Sequence, residues 1–187
     1  MQAYPAELAE LWVTGGERLI LRPIRPEDAA AHDAFFHRLT PEDVRMRFFA
    51  AVRELTPAQL ARFTRLDYAR DMAFIAVREA TGETVGVARL AREDNPDVAE
   101  FAVVVQPDEK GHGLGVRLMQ RVLDWGRRHG VREVVGEILA ENAPMLDLAR
   151  FLGFRLRHLP EDPTVIEARM TLTPPVAEAS PPACAAA

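Results

Sequence analysis

The chain has 187 residues, enough for one domain with a short tail. Its 48% hydrophobic and 27% charged residues exclude disorder over most of the length. The net charge of −5 leaves no overall basic footprint for nucleic acid, and the single cysteine, Cys184, excludes an internal disulfide framework or a cysteine-ligated metal cluster.

No apolar run approaches the ~18 residues of a membrane span. The start, MQAYPAELAELW, has acids where a secretory signal has Lys or Arg, and no apolar stretch follows. A cytoplasmic protein without membrane attachment is expected. Lys110 is the single lysine against 22 arginines.

Residues 1–16 read as an amphipathic lead-in ending at Gly15-Gly16. Arg18 to Ile24 alternates and predicts a strand. Pro26-Glu27-Asp28 opens a helix running to about Leu39. Thr40-Pro41-Glu42-Asp43 and Thr56-Pro57 repeat the start signal, so two or three helices reach about Leu66. Asp71 to Arg78 and Thr84 to Leu90, joined at Thr81-Gly82, form a hairpin pattern. Val98 to Val105 is strongly apolar and predicts a strand buried on both faces. A glycine-rich loop leads into an amphipathic helix from about Gly113 to His129, which Gly130 stops. In that helix Trp125, Leu118 and Val122 keep core spacing. Val131 to Leu139 is a strand, Asn142 to Leu152 a helix, and Thr164 to Leu172 an extended segment that pairs back. A mobile Pro/Ala-rich tail is expected over 174–187.

The order predicts an α/β (α+β) domain over 17–173, with a mixed, mostly antiparallel sheet flanked by helices. Three successive strands precede the glycine loop, which excludes a doubly wound nucleotide fold.

The informative segment is VVVQPDEKGHGLGVRLM, Val103 to Met119. Glycines 111, 113 and 115 let backbone approach a ligand without Cβ interference. The first helical turn has unpaired amides at the positive end of the helix dipole. Such a place binds a phosphate or pyrophosphate, with Lys110 as a mobile cation. A tight glycine turn without a ligand is the alternative. Neither the Walker spelling nor GxGxxG is present.

Val105-x-Pro107 followed by Lys110-Gly111-His112-Gly113-Leu114-Gly115 resembles the acyl-CoA loop of the GNAT acyltransferase superfamily, with lysine in place of the usual Gln or Arg. Asn142 followed by Leu152-Gly153-Phe154 is similar to the family's Asn-to-Gly-Phe segment. Arg47-Phe48-Phe49, Arg62-Phe63-Thr64, Asp67 to Ala73 and Ala99-Glu100-Phe101-Ala102-Val103 resemble, more narrowly, the GNAT domain of bacterial protein lysine acetyltransferases. The likeness spans about residues 17–172.

The resemblance implies a sheet whose fourth and fifth strands splay to bind acyl-CoA. It places acetyl-CoA on Val103, Val104 and Val105, on Lys110, Gly111, His112, Gly113, Leu114, Gly115 and Val116, and beside Asn142. His112 would contribute its backbone amide or its ring. No metal is expected, because His32, His37, His129 and His158 share no ligand spacing and read as surface or capping residues.

Acetyl transfer to an amine needs a proton acceptor, because a lysine amine with a pKa near ~10.4 is almost wholly protonated at pH 7. Glu100 is the candidate general base. Its neighbours Ala99 and Phe101 suggest apolar surroundings that would raise its pKa. Strand parity groups Glu100 with Ala102 and Val104. An ion pair to Arg89 or Arg92, or anchoring of the acceptor, are the other readings of Glu100, and Glu137 is the second candidate base. Many family members carry a tyrosine acid where this chain has Ala149; Tyr68 is a substitute or a packing residue. Arg45, Arg47 and Arg53 read as a 3′-phosphate site or a solvated helix face. Phe35, Phe36, Phe48, Phe49 and Phe63 are expected core within the acceptor wall, residues 31–66.

The reading is therefore an acetyl-CoA-dependent N-acetyltransferase acting on a primary amine, foremost a protein lysine, with a protein partner such as an acyl-CoA synthetase and a homodimer as further expectations. A small-amine acetyltransferase and a non-catalytic acyl-CoA-sensing module are the alternatives.

Overall fold

The structure is a computed structural model and describes residues 3–92 and 94–173. Eight strands form one sheet: β1 (Glu10–Thr14), β2 (Glu17–Pro23), β3 (Met72–Arg78), β4 (Thr84–Arg92), β5 (Val98–Val105), β6 (Glu133–Leu139), β7 (Arg155–His158) and β8 (Val165–Thr171). Their order is β1-β2-β3-β4-β5-β6-β8-β7, antiparallel throughout except for the β5–β6 pair. The predicted fold class is the observed one.

The helices are α1 (Ala29–His37), α2 (Pro41–Phe48), α3 (Pro57–Thr64), α4 (Leu114–Arg128) and α5 (Ala143–Leu152). Two threonine capping boxes start α2 and α3: Thr40 accepts from Asp43 N–H and Thr56 from Gln59 N–H, with Pro41 and Pro57 in the first turn. These short helices share a small core of Phe36, Val44 and Leu55, with Phe48 and Phe63 packed against it. Phe49 departs from the core expectation. It is 43% exposed and closes α2 in a left-handed conformation, φ +55°.

The segment expected as a lead-in supplies part of the sheet. Gly15 and Gly16 take φ +56° and +84°, turning β1 onto β2 with Thr14 opposite Glu17. The pair is a hairpin turn rather than a boundary. The tail at 174–187, with Cys184, lies outside the described residues.

Helix α4 lies on β3, β4 and β5. It buries Leu114, Leu118, Met119, Val122 and Trp125, as its apolar spacing predicts. Its close approach depends on Gly86, where a Cβ would come within 2.9 Å of Leu118 and 3.2 Å of Leu114. Helices α1 to α3 cover the opposite face, with Phe35, Phe48 and Phe63 around Val87 and Arg89.

Strand β5 corrects one expectation. It is not buried on both faces: Glu100 is exposed, and Ala102 through Val105 are only half-buried. The cause is the splay. β5 and β6 pair only from Val98–Glu133 to Glu100–Val135, then part. Past that point the backbone groups of β5 that face away from β4 have no strand partner, so the gap is a polar-edged slot.

At the fork, the Phe101 ring packs tilted against Phe154, centroids 4.8 Å apart, and a Cβ on Gly136 would lie 2.5 Å from the Phe101 ring. Gly136→Ala therefore overpacks the fork. We expect it to cost on the order of 1–3 kcal/mol, read as a lower urea midpoint with an unchanged m value. A wild-type midpoint would show that the ring moves aside freely.

A candidate acyl-CoA cleft

The splay opens a cleft of about 860 Å³ between the C-terminal halves of β5 and β6. Its lining brings together Glu100, Val103, Val104, Val105, Lys110, Gly111, Gly113, Leu114, Gly115, Val116, Glu137 and Asn142. Positions up to 42 residues apart in the expected site set thus share one wall system.

The floor of the cleft at the glycine loop is held from behind. Gln106 N–H donates to the Val85 carbonyl at 2.8 Å, and its buried side-chain amide donates to the Phe35 carbonyl at 2.8 Å. Arg78 reaches Asp108 at 2.9 Å, Glu17 at 2.5 Å, and Glu109, fixing the turn at 107–109.

Gly111 and Gly113 both take φ +82°, a region that side chains other than glycine enter at a cost. A Cβ at either would meet nothing within 4 Å, so open space stands above them. Gly113 is the N-cap of α4 and no side chain caps the helix. The first intrahelical bond runs from Arg117 N–H to the Gly113 carbonyl, 3.0 Å, leaving the amides of Leu114, Gly115 and Val116 without helical partners. A row of bare donors at the positive end of a 15-residue helix, beside an open concavity, fits a diphosphate.

The individual roles differ from the expected ones in places. Gly115 serves packing, because a Cβ there would press on Leu148 at 3.1 Å, joining α4 to α5. Leu114 is wholly buried, its side chain packed against β4 at Gly86. His112 is exposed and does not line the cleft; its carbonyl accepts a long bond from Thr14 Oγ1, 3.5 Å. Asn142 caps α5, accepting from Met145 N–H at 3.2 Å, and its side-chain N–H groups stay available to the cleft.

Lys110 is an ion-pair partner of Asp43, at the start of α2. Burial alone would raise the Asp43 carboxyl, but bonds from Lys110 and Thr40 hold it below the usual carboxylate range. Arg45, also on α2, reaches Glu141 across the cleft mouth at 2.6 Å. Helix α2 is thereby tied to both sides of the opening. The expected arginine cluster is not one face: Arg45 is in this pair, Arg47 lines the cleft, and Arg53 is exposed elsewhere.

Glu100 projects from the last paired residue before the fork. It is exposed, so the apolar enclosure expected around it is absent. The ion pair to Arg89 or Arg92 is absent as well. Arg89 donates to the Arg62 carbonyl at 3.1 Å and Arg92 to the His129 carbonyl. Glu137 is exposed on the other wall.

Ala149 is buried, and Tyr68 is spent on structure, its hydroxyl donating to the Ile24 carbonyl at 2.8 Å in the core. Neither presents an acid to the cleft. His32, expected at the surface, is 8% exposed. Among the described residues no group of three His, Cys, Asp or Glu side chains could hold a metal ion, and no helix is long and apolar enough to cross a membrane.

A splayed parallel strand pair with a glycine cradle opening the following helix defines an acyl-CoA-dependent acyltransferase. A family model described as an acetyltransferase (GNAT) domain matches residues 18–155. An acetyltransferase of Pseudomonas aeruginosa is 34% identical over 175 residues, spanning 91% of this chain and 94% of that protein. The chain belongs to the GNAT acetyltransferase family, and acetyl-CoA is its acyl donor.

The GNAT domain of S. lividans PAT superposes with a TM-score of 0.82 at 25% identity, covering 90% of this chain and 99% of that one. An L-methionine sulfoximine/L-methionine sulfone acetyltransferase of Pseudomonas paraeruginosa is 33% identical over 86 residues, 44% of this chain and 50% of that protein.

Proposed function

We propose that the protein transfers the acetyl group of acetyl-CoA to a primary amine by direct attack in a ternary complex, with Glu100 as general base. The observation that carries this is the position of Glu100 at the fork, where its carboxylate and the unpaired β5 backbone border the same cleft.

The amides of Gly111 and of Gly113 to Val116 hold the diphosphate, with Lys110 beside them in its pair with Asp43, and Asn142 flanks the pantetheine arm. The slot between β5 and β6 directs the thioester toward Glu100. Glu100 takes the ammonium proton, directly or through one water, and the freed nitrogen attacks the carbonyl carbon. A β5 amide in the slot donates to the developing oxyanion. As the C–N bond forms, the C–S bond breaks. With Ala149 in place of a tyrosine, the thiolate takes its proton from solvent or from the acid form of Glu100.

On the acceptor, the walls favour a small amine. Arg47 lines the cleft together with Glu100, and its positive charge favours a small amine that carries its own anionic group over an acceptor that brings an ammonium alone. The named activity of the Pseudomonas paraeruginosa relative, on an amino-acid analogue, points the same way. A protein lysine is the second reading, supported by the sequence resemblance of residues 47–49 and 67–73.

The test is purified protein with acetyl-CoA against amino acids, polyamines and acyl-CoA synthetases, reading free thiol. Amine-dependent thiol release is expected. Tight acetyl-CoA binding with no release above hydrolysis for any amine would replace this reading with a non-catalytic acyl-CoA-sensing module.

A further inference from the structure

Beside Arg47 lies a second, smaller cavity of about 40 Å³, between α1–α3 and the β4–β5 pair. It adjoins the cleft, since Arg47, Ala102, Val103 and Val104 border both. It is on the sheet face opposite α4, so it is no part of the diphosphate cradle. Its walls are mostly apolar, with the rings of Phe35, Phe48 and Phe63 among them, and its polar lining is His32, Arg47 and Arg89. The volume exceeds the share of one water, ~30 Å³, and suits one small polar group.

Neither arginine of the lining has an ion-pair partner among the described residues, although the carboxylates of Asp71 and Glu100 act on Arg89 from a distance and that of Glu100 on Arg47. Arg47 makes no hydrogen bond or ion pair among the described residues, and its guanidinium lies 5.0 Å from the Phe48 ring centre. Arg89 has one bond, to the Arg62 carbonyl at 3.1 Å, and stands 5.7 Å from the Phe63 centre. Each guanidinium offers five N–H donors, and nearly all go unused.

His32, stacked on Phe35 at 5.9 Å, is more than nine-tenths buried and its Nδ1 has no partner. Burial pulls both arginines below their ordinary range; Glu100 works against that pull at Arg47, and Asp71 first and then Glu100 work against it at Arg89. Burial, then the charge on Arg89, pushes His32 down to about 4, so its ring is neutral at pH 7. Unpaired polar groups in such a setting are costly unless a ligand completes them.

We propose that this cavity is the carboxylate-recognition half of the acceptor site, and that the acceptor is a free α-amino acid. Its carboxylate sits between Arg47 and Arg89, with an N–H of His32 as a further donor, and its α-amine sits at Glu100. This deepens the acetyl-transfer reading and rests on it. The charges decide the class. Arg47 lines the cleft together with Glu100 and lines the adjoining cavity together with Arg89, so a zwitterion lying along Arg47 has the Glu100 carboxylate on one side and the guanidinium pair on the other. Its carboxylate meets the guanidinium pair and its ammonium meets the carboxylate of Glu100. An amine without a carboxylate leaves the arginines unmatched.

The test compares matched pairs on the full chain, methionine against 3-(methylthio)propylamine and phenylalanine against phenethylamine, by thiol release. Wild type is expected to favour the amino acid in kcat/KM by at least about ten-fold, the scale of a charge-assisted bidentate contact. In Arg89→Met that ratio falls toward one, mainly through KM, and Arg47→Lys retains part of it. Equal use of both members by wild type, an undiminished ratio in Arg89→Met, or preference for a lysine peptide over every free amino acid would each overturn the proposal.

If Arg89→Met does not fold, as judged by its melting profile, the wild-type pairs decide alone. Glu100→Gln separates the two readings. Lost turnover with an absent wild-type preference condemns the pocket, and retained turnover with an intact preference condemns only the base.

Discussion

Glu100→Gln is expected to lower turnover at least ten-fold while acetyl-CoA binds almost as before. The side chain keeps its size and loses only its capacity to take a proton. A positioned general base contributes typically ~10²–10⁴-fold, so ten-fold is a conservative floor. Cofactor binding should survive because the cradle is backbone around Gly111 and Gly113, on a different element from the carboxylate. Steady-state thiol release gives the first quantity and calorimetry with acetyl-CoA the second. Turnover at the wild-type level would remove Glu100 from the chemistry. Glu137→Gln then becomes the deciding variant, since Glu137 is exposed on the facing wall. Loss of both turnover and binding would mean that Glu100 supports the cleft rather than the proton transfer.

The sequence was most legible where local chemistry dictates geometry. Capping boxes at Thr40 and Thr56 start helices in place, and the hairpin from Met72 to Arg92 follows its turn at Thr81-Gly82. The glycine loop announced a bare helix N-terminus, and α4 begins one residue after Gly113. Legibility failed where the meaning of a residue depends on a distant partner. Gly15-Gly16 marks an end in one dimension and a hairpin in three, because β2 has a free edge that β1 fills. Gly115 looked like its neighbours, yet Leu148, 33 positions on, makes it a packing residue. Nothing near Lys110 in the chain foretells Asp43, 67 residues away.

The acceptor wall was least legible of all. Phenylalanines 35, 48 and 63 read as core, and they are partly that. That they enclose His32 and leave Arg47 and Arg89 without ion-pair partners among the described residues follows only when α1, α2 and α3 fold onto β4 and β5. A signal did exist, in the arginine of the Arg47-Phe48-Phe49 run. Helical spacing alone could not separate it from Arg45, which points to a surface pair with Glu141.

Gly113→Glu is expected to weaken acetyl-CoA binding by at least about a hundred-fold. Two physical costs act together. The backbone at φ +82° admits a side chain only with strain of ~1–2 kcal/mol, present in the folded protein with or without acetyl-CoA. That part lowers stability and leaves affinity largely untouched. The second cost falls on the complex alone. A Cβ at this position has nothing within 4 Å, so the added side chain projects into the space where the diphosphate lies. Its carboxylate then opposes a phosphate charge, at roughly 4 kcal/mol for unit charges 4 Å apart at an effective dielectric of 20. Each 1.4 kcal/mol is ten-fold, so a hundred-fold loss needs less than that opposition. Gly113→Ala isolates the first cost. It should melt earlier than wild type yet bind acetyl-CoA within a few-fold. Calorimetry of both variants separates strain from occupancy, and undiminished affinity in Gly113→Glu would move the diphosphate away from this helix altogether.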